Sequence, residues 1–143
     1  MRRTCKFLLS LFFVLSINLI FAQKKIPLYT SAIECDIDKK DSIVEKDGST
    51  YIYEIKTPEM WYYPSENKDN NKPAVMVITG GGYTFLSITN EGLSIANWLN
   101  GIGIDAVMLR HRLPNNYYGP CQQRVETEDA LNAVDLIREN ESQ

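Results

Sequence analysis

Apolar positions in this chain fall into short runs separated by polar or glycine-rich stretches. The most regular run is Ala74-Val75-Met76-Val77-Ile78, which follows Pro73 and ends at Thr79-Gly80-Gly81-Gly82-Tyr83. Val75, Val77 and Ile78 are β-branched and no polar residue alternates with them, so the run predicts a strand buried on both faces. The glycines that follow carry no Cβ, which lets the turn backbone come very close to another group. Bare N–H groups at the end of a buried strand can hold a negatively charged oxygen. The same residues also suit a strand-to-helix turn without a ligand.

The other runs are organised around that strand. Residues 50–55 and 60–63 alternate aromatic or aliphatic residues with others; Thr57-Pro58-Glu59 lies between them, which predicts an antiparallel pair. Residues 65–72 are wholly polar or charged and read as a surface loop. A helix is expected over 91–100, capped by Thr89 or Asn90, with Leu93, Ile95, Ala96, Trp98 and Leu99 as its buried face and Gly101 as a left-handed end. Residues 104–109, closed by Arg110-His111-Arg112, predict a second buried strand. Strand, helix, strand makes a right-handed βαβ unit with parallel strands. After a loop over 113–120, a last helix is expected over 124–140, its apolar stripe being Ala130, Leu131, Val134 and Ile137. Residues 23–49 are polar and irregular and read as an N-terminal arm, anchored by Ile26, Leu28 and Tyr29.

Composition changes this picture at the N-terminus. The chain has 143 residues and is 44% hydrophobic, enough for one modest packed domain. Arg2, Arg3 and Lys6 precede an apolar stretch over 7–21, and Ala22 offers a small residue for cleavage. This is the layout of a secretory signal peptide over 1–22, with an N-terminal membrane anchor as its rival. The apolar stretch falls short of the ~20 residues of a spanning helix, which favours cleavage and no membrane contact afterwards. Losing three basic residues takes the net charge from −3 to −6, and such a surface does not suit nucleic acid. Cys35 and Cys121 would remain. Export permits a disulfide, but they read as two unpaired, partly buried thiols, too few for a zinc site. Gly101-x-Gly103 is no dinucleotide fingerprint, and neither a cofactor nor a metal is expected.

Taken in order, these elements resemble the first half of an α/β-hydrolase, and most of all the secreted esterase group that includes acetyl xylan esterase-like and feruloyl esterase-like enzymes. The residues that carry the resemblance are Pro73 to Gly82 with Tyr83, Glu91-Gly92, Trp98-Leu99-Asn100, Gly103-Ile104, Arg112-Leu113-Pro114 and Asp129-Ala130. It covers roughly 26–140 and implies a fold incomplete at its C-terminus, with residues 50–143 as a partial domain. It implies that the Gly81 and Gly82 N–H groups form one arm of an oxyanion hole and that Gly80 and Tyr83 shape the loop. Thr79 stands where many relatives have histidine, and His111 where many have tyrosine.

The resemblance also implies what should follow. A G-x-S-x-G nucleophile elbow belongs on the strand after the last helix, with the acid and the histidine later still. No two of the eight glycines bracket a serine in that pattern, so the nucleophile is expected outside this chain. His111, the single histidine, precedes the serine position and is rejected as the base in favour of a structural strand-end role. Asp129 can pair with Arg112 and hold the loop to the helix, or can be a helix-start acid in water. Glu91 is a capping acid that can brace the turn. Tyr117 and Tyr118 can stack on a sugar or aryl ring, or do nothing specific. The functional reading is the N-terminal part of a secreted serine esterase acting on a small ester or an acylated polysaccharide. Its alternative is a non-catalytic secreted binding module or pseudoenzyme on a truncated hydrolase scaffold.

Overall fold

The computed structural model describes residues 23–67, 69 and 73–140, with Asn116 and Tyr117 described by backbone alone. The expected leader over 1–22 and the Tyr117 ring lie outside what is described. In chain order the elements are β1 (Lys24–Pro27), β2 (Ser42–Lys46), β3 (Ser49–Glu54), β4 (Glu59–Tyr63), β5 (Ala74–Ile78), β6 (Leu86–Ser87), α1 (Ser94–Gly101), β7 (Asp105–Arg110) and α2 (Val125–Glu139). A π-helical segment, Ile88–Leu93, leads into α1, and 3-10 turns over Asn116–Cys121 precede α2. No helix among the described residues is long and apolar enough to cross a membrane.

The main sheet has the order β1-β4-β7-β5, and a second sheet the order β2-β3-β6. β5 and β7 are parallel, with Val77 beside Met108 and Ile78 beside Leu109, as the strand-helix-strand pattern requires. An antiparallel pair does lead into this sheet, but it is β1 with β4. β3 instead pairs with β2 and β6, so residues 50–55 and 60–63 are not ladder partners. The segment expected to be an irregular arm supplies β1 and β2. Asp47-Gly48 closes the β2–β3 hairpin, with φ of 51° and 74°, the left-handed values that a two-residue hairpin turn demands.

β7 is buried along its whole length and divides the core. Val107 and Leu109 pack with Leu28, Met60 and Ala133 on the α2 side, joined by the half-buried Ile26, Tyr29 and Met76. On the opposite face Ala106 packs with Val77, Ala96 and Leu99 under α1. Met108, on that same face, meets Ile52, Ile55, Leu86, Ile88 and Leu113 of the second sheet and its connections.

Five expectations need correction. β5 is not buried on both faces: Val75 and Ile78 are 38% and 52% exposed. Among the described strands β5 pairs only with β7, so it lies at an edge and the helices cover only its centre. α1 buries Ala96 and Leu99, whereas Ile95 and Trp98 point outward. Its left-handed end is Gly103, at φ 81°, rather than Gly101, and no side chain caps its start. α2 turns Val125, Asp129 and Ala133 inward and leaves Leu131 exposed, while Ala130 and Ile137 of the expected stripe pack half-buried against the core, because four-residue steps from Val125 select the face over the sheet.

Cys35 and Cys121 are not free thiols. They form a disulfide with a Cα–Cα distance of 6.2 Å, within the range a disulfide accepts. It ties the chain after β1 to the turn before α2, beside a small cluster of Ile37, Tyr118 and Val125. Glu34 lies next to the two sulfurs, but a disulfide offers no thiolate to a metal.

Candidate functional site

The glycine turn leaves β5 through Thr79, which is 3% exposed. Gly81 and Gly82 take φ of 149° and 59°, and Tyr83 follows at 60°. A side chain at Gly81 is impossible without rebuilding, since its Cβ would sit 1.9 Å from the Phe85 carbonyl oxygen. Around Gly82 a Cβ would meet nothing within 4 Å. The loop is closed by two backbone bonds, from the Thr84 N–H to Gly81 O at 3.1 Å and from the Ser87 N–H to Gly80 O at 2.9 Å. Both use carbonyls of the turn. Among the described residues, neither the Gly81 nor the Gly82 N–H donates a hydrogen bond. Tyr83 is 67% exposed, so packing does little to offset its left-handed backbone.

Two neighbours hold this turn. A Cβ on Gly80 would fall 2.1 Å from Oε2 of Glu91, so the Glu91 carboxylate rests on the first glycine. A Cβ on Gly92 would fall 2.1 Å from Met108 Sδ and 2.8 Å from Thr79 Cγ2. Gly92 therefore lets the π-helical segment lie directly on β7 and on the residue that opens the turn. In that segment both the N–H and the hydroxyl of Ser94 donate to the Thr89 carbonyl, five residues back, the wider winding that defines a π-helix. The Thr79 hydroxyl is buried without a hydrogen-bond partner among the described residues.

The register of β5 on β7 brings a second group to the same end of the sheet. Ile78 lies beside Leu109, so Gly80–Gly82 and His111–Arg112 leave the sheet together. Arg112 and Asp129 are both fully buried. Asp129 accepts hydrogen bonds from Arg112 Nη2 at 2.7 Å, from Nε at 3.1 Å and from the backbone N–H at 2.7 Å. The Tyr29 hydroxyl donates to the same carboxylate at 2.7 Å, and Arg112 Nη1 donates to Glu34 O at 3.1 Å. Burial alone would lower the Arg112 pKa, but the hydrogen bonds and charge of Asp129 outweigh it and hold it above its ordinary value. Burial, and then Asp129, push the Tyr29 phenol well up. The Arg112–Asp129 ion pair thus braces the end of β7 against α2.

His111 is buried, with Nδ1 2.7 Å from the Arg112 carbonyl, a local structural contact. Tyr118 is 4% exposed and donates its hydroxyl to Ile55 O at 2.8 Å, so it is core and cannot stack on a ligand. A groove of about 590 Å³ lies at the other end of the sheet, lined by Tyr63, Asn67, Asn100 and Gly103 among others. The glycine turn instead stands at the carboxyl end of β5, the end beyond which open α/β sheets bind ligands.

No family model matches the chain. Over 42 residues it is 43% identical to an acetylxylan esterase of Xylanibacter ruminicola, a stretch that makes up 29% of this chain and 9% of that protein. The fold superposes on an acetyl ester-xyloside bifunctional hydrolase from Caldicellulosiruptor lactoaceticus with a TM-score of 0.57 and 26% identity, over 85% of this chain. This is a partial α/β-hydrolase fold. It is similar to esterases of that type and spans 38% of the solved hydrolase. The turn and its brace stand together at the carboxyl end of the parallel strands β5 and β7.

Sequence reasoning missed Phe85 and Tyr29 as partners of these groups. Tyr29 was legible only as an apolar anchor, because its partner is 100 residues away. Gly92 belongs to the resemblance, and its physical reason is the contact with Met108, which no local pattern shows.

Proposed function

We propose that the chain is the N-terminal part of a secreted serine esterase that hydrolyses carboxylic esters, either small esters or the acetyl or feruloyl groups of plant polysaccharide. A serine carried outside these 143 residues attacks the acyl carbon. The carbonyl oxygen becomes an oxyanion, the alcohol leaves, and water then releases the acid from the acyl-serine. Gly81 and Gly82 donate their N–H groups to the oxyanion, each contributing roughly a 10²–10³-fold effect on kcat. Gly80 and Tyr83 shape the loop, Glu91 braces it, and Arg112 with Asp129 fixes the strand end beside it. This chemistry takes no metal and no cofactor. Residues 1–22 direct export, and the acidic mature surface suits neither nucleic acid nor an anionic membrane.

The observation that carries this reading is the turn: N–H groups of Gly81 and Gly82 at the carboxyl end of β5 that find no acceptor among the described residues, in a chain similar to esterases. The test is active-site labelling of the complete polypeptide with a fluorophosphonate. The expected result is one labelled serine outside residues 1–143, together with turnover of p-nitrophenyl acetate. Labelling of a serine within these residues, or no turnover by the complete protein, would contradict it.

A further inference from the structure

Beside the glycine turn, the outer face of the second sheet carries a cluster of aromatic rings. Ile52 faces the core at 1% exposure, so its neighbours Tyr51 and Tyr53 stand on the opposite face of β3. The Phe85 ring packs against both, its centroid 5.3 Å from that of Tyr51, edge to face, and 5.5 Å from that of Tyr53, tilted. Phe85 also abuts the turn: a Cβ on Gly81 would lie 2.9 Å from its ring Cδ2 as well as against its carbonyl. Tyr53 is 37% exposed, and Tyr83, next to Gly82, is 67% exposed. Exposed rings are therefore continuous with the pair of N–H groups assigned to the oxyanion.

We propose that the exposed Tyr53 ring, buttressed by Phe85 and Tyr51, is a stacking platform for a pyranose ring of the substrate and so places an ester on that sugar over Gly81 and Gly82. The proposal rests on the esterase reading above. A pyranose presents flat faces of C–H groups and a rim of hydroxyls. An aromatic face covers the first, and tyrosine, apolar in its ring and polar at its tip, tolerates the wet rim of the second. A core-covering contact would need no such hydroxyls. An acetyl group has no ring face to cover the Tyr53 ring, so the platform distinguishes sugar esters from simple ones.

The test uses the complete protein with Tyr53→Ala and the ring-preserving Tyr53→Trp. Unacylated xylotetraose is titrated by calorimetry, and hydrolysis of acetylated xylotetraose is compared with that of p-nitrophenyl acetate. Tyr53→Ala should raise the Kd for xylotetraose roughly three- to tenfold, the effect of one lost ring contact. It should lower the ratio of kcat/KM on the sugar ester to that on p-nitrophenyl acetate by a similar factor. Tyr53→Trp should restore both. An unchanged Kd and an unchanged ratio would overturn the platform while leaving the esterase reading intact. An equal loss on both substrates with a lowered Tm would also overturn it, by assigning Tyr53 to packing. Tyr53-dependent binding of xylotetraose by a protein that hydrolyses no ester would support the platform and remove the esterase reading.

Discussion

Asp129 holds Arg112 at both its side chain and its backbone, with the carboxylate 2.7 Å from Nη2 and 2.7 Å from the backbone nitrogen. The first contact neutralises a buried guanidinium. The second fixes the chain where it leaves β7. A fully buried ion pair gains little over a well-packed apolar pair, but removing one partner strands the other charge. The brace thus ties α2 to the carboxyl end of β7.

Asp129→Ala should therefore destabilise the protein by about 3–5 kcal/mol, the range for a broken buried pair. The double variant Arg112→Met/Asp129→Leu should lose much less. Urea unfolding of the three proteins measures this. A loss below about 1 kcal/mol for Asp129→Ala would show that the pair is not a brace.

The disulfide closes a loop of 86 residues. Cys35→Ser/Cys121→Ser, or reduction with dithiothreitol, should lower stability by about 2–4 kcal/mol. Thiol titration of the unreduced, unfolded protein should find neither Cys35 nor Cys121 reactive. Two reactive thiols in that assay would return these residues to the unpaired reading.

The Tyr62 hydroxyl donates to Asp105 at the start of β7. Burial first, and then this bond and the charge of Asp105, push its phenol from 10.0 up to about 12. A pKa higher in the folded state favours the protonated phenol, so this contribution is complete below pH 10 and fades as pH rises through 12. The urea midpoint should fall across that window, and Tyr62→Phe should make the fall shallower. Tyr63, raised to about 12 by burial alone, keeps its own share. An equal fall in the variant and the parent would rule out the Tyr62–Asp105 contact as its source.

Local chemistry was readable from the sequence where neighbours in the chain decide the outcome. The Ala74–Ile78 strand, its glycine turn and the parallel strand beyond α1 all follow from short patterns. The β2–β3 hairpin was readable too, since Asp47-Gly48 between Ile43-Val44 and Tyr51-Ile52 is a hairpin signal, but the surrounding charge masked it. Partnerships across long separations were not readable. Tyr29 with Asp129, Cys35 with Cys121, and β1 with β4 depend on tertiary packing that no local pattern encodes. The outward turn of Trp98 and Leu131 has the same origin, because helical spacing marks an apolar stripe without saying which part of it meets the sheet.

The central claim is that Gly81 and Gly82 present their N–H groups to an oxyanion. Gly81 cannot report on this cleanly, because any side chain there collides with the Phe85 carbonyl. At Gly82 a Cβ meets nothing within 4 Å, but φ of 59° strains any side chain there, so valine would displace the N–H without a collision. The most direct measurement is kcat of Gly82→Val in the complete polypeptide on p-nitrophenyl acetate, with circular dichroism confirming that the variant folds. The expected fall is at least ~10²–10³-fold, the cost of a lost oxyanion donor, with a smaller change in KM. Turnover near that of the unmodified protein would contradict it.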